Sequence, residues 1–125
     1  MKPDGREIFR FYDDWGDLSK VEMINHNLKG NRVVKHYREG RLERKDVFYP
    51  NGNVFEEYYN RRGDVIKRIF LYRNKKIVEE YRRDRLKKKT TYWSDGKTEI
   101  FHYNRVGKIT KEETHYKKRK RRRAW

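Results

Sequence analysis

The feature that most constrains this chain is a turn that returns about every eleven residues. All eight glycines sit at turn positions: Gly5, Gly16, Gly30, Gly40, Gly52, Gly63, Gly96 and Gly107. The one long gap, between Gly63 and Gly96, holds Arg73-Asn74-Lys75-Lys76 and Arg82-Arg83-Asp84-Arg85 where further turns would fall. Asn and Asp are the next residues most tolerant of left-handed backbone, so both segments read as turns that lack the glycine. Tyrosine keeps the same beat, since nine of the ten close a run and all but one of those stand just ahead of a turn. The runs between turns are short and rich in β-branched and aromatic residues. Turn signals at this spacing predict an all-β fold, an antiparallel meander of about ten short strands.

The strands expected are 6–12, 17–26, 31–37, 41–49, 53–59, 64–72, 76–81, 85–93, 97–103 and 108–116. A helix is the competing reading for 17–27, but the frequent turns and the missing helical stripe favour strand. Alternation within Asp64–Tyr72 places Val65, Lys67, Ile69 and Leu71 on one face and Ile66, Arg68, Phe70 and Tyr72 on the other. Both faces are mixed, whereas a sheet with one dry face alternates cleanly. A largely single-layer, twisted sheet follows, covered on both sides by aromatic rings and long charged stems. Residues 42–72 look apolar enough for a modest core. Tyr49, Tyr59 and Tyr72 are expected to anchor neighbouring strands, with Tyr58 facing away from Tyr59. The domain runs over 1–116, and 117–125 form a basic tail expected to be disordered when free.

Charge decides which partners to expect. Thirty-five Lys and Arg against nineteen Asp and Glu give +16, and seven of the cations are consecutive: Lys117, Lys118, Arg119, Lys120, Arg121, Arg122 and Arg123. The rest of the chain is still basic. Anionic partners follow, namely an acidic protein surface, nucleic acid or an anionic membrane. There is no cysteine, which excludes disulfides and thiolate metal sites. No apolar stretch has membrane-spanning length, and Met-Lys-Pro-Asp-Gly opens no secretory signal. The expected location is intracellular, in the cytoplasm or, because of the tail, the nucleus.

The units Tyr12-Asp-Asp-Trp-Gly16-Asp-Leu18, Tyr49-Pro-Asn-Gly52-Asn-Val54, Tyr59-Asn-Arg-Arg-Gly63-Asp-Val65, Tyr92-Trp-Ser-Asp-Gly96-Lys-Thr98 and Tyr103-Asn-Arg-Val-Gly107-Lys-Ile109 resemble MORN-type repeats in their glycine-poor form. The YD-type repeats of large shell-forming proteins share this rhythm. The resemblance covers roughly residues 2–116, in paired units of 22 or 23 residues. The Gly-x-Gly element of the standard repeat is absent. Asp4-Gly-Arg-Glu-Ile-Phe-Arg-Phe-Tyr-Asp-Asp13 is also similar to a MORN-like segment of a ciliary dynein regulatory complex subunit. The resemblance implies a non-catalytic scaffold that holds proteins or membranes together, and an acidic protein partner in a cytoskeletal or ciliary multiprotein assembly is the expectation.

No catalytic constellation is visible, and no cofactor or metal site is expected. His26, His36, His102 and His115 are scattered. His102 and His115 could approach each other across adjacent strands, yet no acidic cluster beside them implies a metal site. Glu56-Glu57 and Glu79-Glu80 read as cross-strand partners for cations such as Lys67-Arg68. Alternate turns of a meander emerge on one edge, so the Gly40, Gly63, Asp84 and Gly107 turns should share one. That aligns Arg61, Arg62, Arg82, Arg83 and Arg105 as a basic rim, extended by Arg85, Lys87, Lys88 and Lys89 in the strand that follows. The structural turn residues are Gly16, Gly40, Gly52, Gly63, Gly96 and Gly107. Exposed Tyr and Phe among Arg and Lys would suit single-stranded nucleic acid as the alternative partner. The end strands of an open sheet also invite self-association.

Overall fold

The computed structural model describes residues 5–25 and 30–116. They form one antiparallel sheet of ten strands whose spatial order is the chain order. The strands are β1 (Arg6–Tyr12), β2 (Leu18–Asn25), β3 (Asn31–Arg38), β4 (Arg41–Phe48), β5 (Val54–Tyr59), β6 (Val65–Leu71), β7 (Lys75–Arg82), β8 (Arg85–Trp93), β9 (Lys97–Tyr103) and β10 (Ile109–Tyr116). Among the described residues β1 and β10 each pair with one neighbour, so the sheet is open. No helix occurs there, and therefore none long and apolar enough to cross a membrane.

The turns explain why the sheet is a meander. All six turn glycines named above have positive φ. At the β3–β4 tip Glu39 and Gly40 are both left-handed (φ 51° and 76°), the pattern of a two-residue type I′ hairpin. Arg83 and Asp84 repeat it at the β7–β8 tip, with φ 52° and 61° and no glycine. Asn74 differs from the expectation. The β6–β7 hairpin closes with the Tyr72 N–H donating to the Lys75 carbonyl (2.9 Å) and needs no left-handed residue.

Five junctions carry the same irregularity. Within the hairpins β1–β2, β3–β4, β5–β6, β7–β8 and β9–β10, one residue of the second strand is left out of the register: Ser19, Glu43, Ile66, Lys87 and Thr110 respectively. The four junctions between these hairpins have no such bulge. A bulge adds local right-handed twist and shifts the alternation of faces. Val65 is accordingly opposite Tyr59 and joins the Arg68–Phe70 face, contrary to simple alternation.

Burial is spread thinly over both faces. On one, Met23, Val33, Val47, Phe55, Phe70 and Ile77 lie opposite one another from β2 to β7. The Phe55 and Phe70 rings are 5.0 Å apart. Among the described residues only Val34 and Ile69 are buried hydrophobic side chains, whereas Asp46, Glu57, Thr90 and Thr91 are buried polar ones. The core thus extends from β3 to β8, wider than 42–72. In a single layer a side chain is covered by its neighbours on flanking strands, so position in the sheet outweighs local apolarity.

The buried carboxylates are satisfied. Glu57 accepts from Arg68 Nε (2.7 Å) and from the Tyr59 hydroxyl, with Lys45 at 3.9 Å. Burial pushes its carboxyl up, but those hydrogen bonds outweigh burial and hold it below the usual carboxylate range. Asp46 accepts from Arg44 Nε (2.8 Å), with His36 Nε2 at 3.2 Å. Lys67 lies over the Tyr58 ring instead of pairing with a glutamate. Tyr58 does face away from Tyr59, being opposite Lys67 while Tyr59 is opposite Val65. Tyr49 and Tyr72 are exposed and are not buried anchors. The half-buried strand-closing tyrosines Tyr37, Tyr59, Tyr81 and Tyr103 all adjoin the bulged hairpin tips.

Candidate anion-binding edge

Because hairpins alternate, the tips of all five bulged hairpins emerge on one edge, as expected for the Gly40, Gly63, Asp84 and Gly107 turns. Successive tips are two strands, roughly 10 Å, apart. Three of them are held by a side-chain carbonyl or carboxylate. Asn60 Oδ1 accepts the N–H groups of Arg62 (2.9 Å) and Asp64 (3.0 Å), and Asn104 Oδ1 accepts those of Val106 and Lys108 (both 3.0 Å). Asp13 does the same for Trp15 and Asp17 (both 2.9 Å). The tip backbones are therefore fixed, and with them the places from which side chains project.

Charge changes along this edge. The β1–β2 tip is acidic, with Asp13, Asp14 and Asp17 exposed. At β3–β4 the charges are internally paired: Arg41 with Glu39 (3.3 Å) and Arg38 with Glu43 (3.8 Å). From β5 onward the tips carry Arg61, Arg62, Arg82, Arg83, Arg85, Lys87 and Arg105, all exposed. None has a carboxylate within ion-pair distance among the described residues. Cations on the sheet faces are paired more often: Arg32 with Glu22 (2.8 Å), Arg68 with Glu57 (2.7 Å) and Lys97 with Glu99 (4.0 Å).

Two equivalent clefts sharpen the contrast. One, of about 380 Å³, lies between the β3–β4 and β5–β6 tips and is lined by Arg38, Glu39, Arg41, Glu43, Asn60 and Arg61, with Leu42 and Tyr59. The other, also about 380 Å³, lies between the β7–β8 and β9–β10 tips and is lined by Arg82, Arg83, Arg85, Lys87, Asn104 and Arg105. Each of the latter six follows its counterpart by 44 positions. The arginines and the asparagine match, but Arg83 replaces Glu39 and Lys87 replaces Glu43. The first cleft sets three arginines against two glutamates. The second gathers four arginines and a lysine with no acid. Arg82 stands directly opposite Arg85, an unfavourable like-charge pair.

The structure thus brings together Arg82, Arg83, Arg85, Lys87 and Arg105, and places Arg61 and Arg62 at the adjacent tip. Lys88 and Lys89 lie on the sheet faces, opposite Glu80 and Glu79 respectively, with Lys88 Nζ 3.9 Å from Glu80. Lys117 to Arg123 lie outside the described residues. Sequence reasoning missed Asn104, which shapes the cleft, and Trp15, 86% exposed at the acidic tip. The 44-residue offset, present in the sequence, would have revealed the cleft and its reversed charges.

His102 and His115 do approach a common acid. Glu113 Oε2 is 2.7 Å from His102 Nε2, and Glu113 Oε1 is 3.2 Å from His115 Nε2. Hydrogen bonding to His102, then to His115, holds Glu113 below the usual carboxylate range. No group of three or more His, Cys, Asp or Glu among the described residues could hold a metal ion. Comparison of the sequence with protein-family models finds no match, and neither does comparison with curated proteins.

Proposed function

We propose that this chain is a non-catalytic, MORN-like interaction module that engages an acidic protein partner through the basic edge of β5–β10. One observation carries this reading: the same cleft occurs twice, with two of its three arginines paired to glutamates in its first copy and five cations without an acid lining its second. A solvated rim gives no reason to keep Arg82 against Arg85 without an acid, whereas an acidic ligand supplies what Glu39 and Glu43 supply 44 residues earlier. The resemblance adds a setting, a cytoskeletal or axonemal assembly, and the tail adds affinity for polyanions of any kind.

A protein partner is favoured over single-stranded nucleic acid by where the rings are. Tyr81, behind the basic tips, donates its hydroxyl to Glu79 (2.5 Å) and lies under the Arg68 guanidinium (5.1 Å to the ring centroid). Such rings are not offered for base stacking. The exposed Tyr49, Tyr72 and Tyr92 lie on the opposite edge, away from Arg61, Arg62, Arg82, Arg83, Arg85 and Arg105.

The test compares binding of wild type and Arg83→Glu/Lys87→Glu to poly-glutamate and to single-stranded RNA. The double variant should lose roughly tenfold in poly-glutamate affinity, taking about 0.7 kcal/mol per reversed contact. It should lose less for RNA, because the tail holds both polymers while only the carboxylate chain uses the cleft. Equal proportional losses would reduce the edge to a charge reservoir, and no loss for poly-glutamate would remove it from binding altogether.

A further inference from the structure

The two outer strands, β1 and β10, run in opposite directions, and among the described residues each has a neighbouring strand on one side only. Unpaired strand edges are templates for another chain. Which chain fits is legible in the rows that cross the sheet. On one face Lys45, Glu57, Arg68, Glu79 and Lys89 lie opposite one another in turn, so the sign alternates at every step from β4 to β8. The same row begins at Arg10 in β1 and ends at Glu112 in β10. Both are exposed, and neither has an ion-pair partner among the described residues.

The adjacent row, on the other face, repeats the situation with rings. In its middle Tyr58 lies between two cations, Arg44 at 5.3 Å and Lys67 at 5.0 Å from the ring centroid. Its ends are Phe11 in β1 and Lys111 in β10. Phe11 has a cation on one side only, Lys20 at 4.3 Å.

We propose that β10 of one copy pairs antiparallel with β1 of a second copy, in the register that continues these rows. Glu112 then faces Arg10, adding one more opposite-charge pair to this row, whose outer stretches Arg10-Val21-Lys35-Lys45 and Lys89-Phe101-Glu112 do not themselves alternate. Lys111 faces Phe11, which becomes flanked by two cations as Tyr58 is. The contact is head-to-tail, so it leaves a free β1 and a free β10 and propagates into chains or rings. Pairing of β10 with itself about its centre is disfavoured, because Glu112 of each copy would face Glu113 of the other. Pairing of β1 with itself about Phe9 sets no charge against its like and is the competing arrangement.

The experiment is sedimentation velocity of the full chain over a concentration series at about 0.15 M salt. There the Debye length of about 8 Å screens net repulsion more than a contact pair. Wild type should form species beyond the dimer as concentration rises. Arg10→Glu alone and Glu112→Arg alone should each weaken association about tenfold, since an attractive cross-strand pair becomes a repulsive one. An equimolar mixture should recover it, because the reversed β1 of one variant meets the reversed β10 of the other. Thermal melts of the isolated variants should match wild type, both positions being exposed. Glu112→Arg associating like wild type would show β1 self-pairing instead. A mixture no better than its components, or a wild type that stays monomeric, would overturn the proposal.

Discussion

Giving the basic cleft the charges of its counterpart, by Arg83→Glu with Lys87→Glu, should stabilise the protein while it removes most of the cleft's positive charge. The backbone permits the exchange, since Glu39 already sits at φ 51° in the equivalent turn and Arg83 at 52°. The gain can be worked from the first copy. Arg41–Glu39 (3.3 Å) and Arg38–Glu43 (3.8 Å) are largely exposed pairs, each worth at most about 0.5 kcal/mol. The acids would also relieve the repulsion of Arg82 against Arg85, a like-charge cross-strand pair costing about 0.2–1 kcal/mol. Together these give about 1–1.5 kcal/mol, a rise of about 4 °C in Tm for a domain of this size. Thermal unfolding followed by circular dichroism measures it. In about 1 M salt, where the Debye length falls to about 3 Å, most of the gain should vanish. A variant no more stable than wild type at low salt, or a gain indifferent to salt, would refute the reasoning. The reverse exchange, Glu39→Arg with Glu43→Lys, should lose a similar amount.

Three further outcomes are expected. Glu57→Gln should cost about 2 kcal/mol, because Arg68 and Lys45 lose their buried carboxylate. The folded carboxyl titrates below its unfolded value of about 4.3, so its stabilisation is complete above that pH and fades as pH falls through the folded value. Urea unfolding across that range should show a shallower acid loss in the variant, and equal pH dependence would count against the network. At alkaline pH, burial and the Glu56 carboxylate push Tyr58 up to about 12; its neutral hydroxyl stabilises below the unfolded value of about 10 and that stabilisation is lost as pH rises through 12. Burial also raises Tyr59, Tyr81 and Tyr103, so phenolate absorbance should show several late-titrating groups, of which Tyr58→Phe removes one; an unchanged late amplitude in the variant would refute the assignment. Finally, Ile69→Ala should cost about 2–4 kcal/mol, while Ile66→Ala, at an exposed bulge position, should stay within about 0.5 kcal/mol in chemical denaturation; equal costs would mean the bulge assignment is wrong.

The sequence by itself determined the number of strands, their order and the edge on which each turn emerges. Those follow from local chemistry. Gly40, Gly63 and Gly107 turn the chain wherever they stand, and short runs between turns can only return on their neighbours. It also determined that Arg61, Arg62, Arg82, Arg83 and Arg105 share an edge, since that depends on parity alone. Only the tertiary structure decided which residues pair and which stay free. A bulge at Ile66 moves Val65 to the opposite face, and no local pattern in 64–72 announces it, because a bulge is a property of two strands and not of one. Burial of Asp46, Glu57, Thr90 and Thr91 was likewise decided by neighbours on flanking strands, which in a single layer replace a second layer as cover. The contrast between the two clefts needed both. The reversed charges at Glu39 and Arg83 are written in the chain, but their meaning appears only where Arg38 and Arg41 find carboxylates at 3.8 and 3.3 Å and Arg82 and Arg85 find each other.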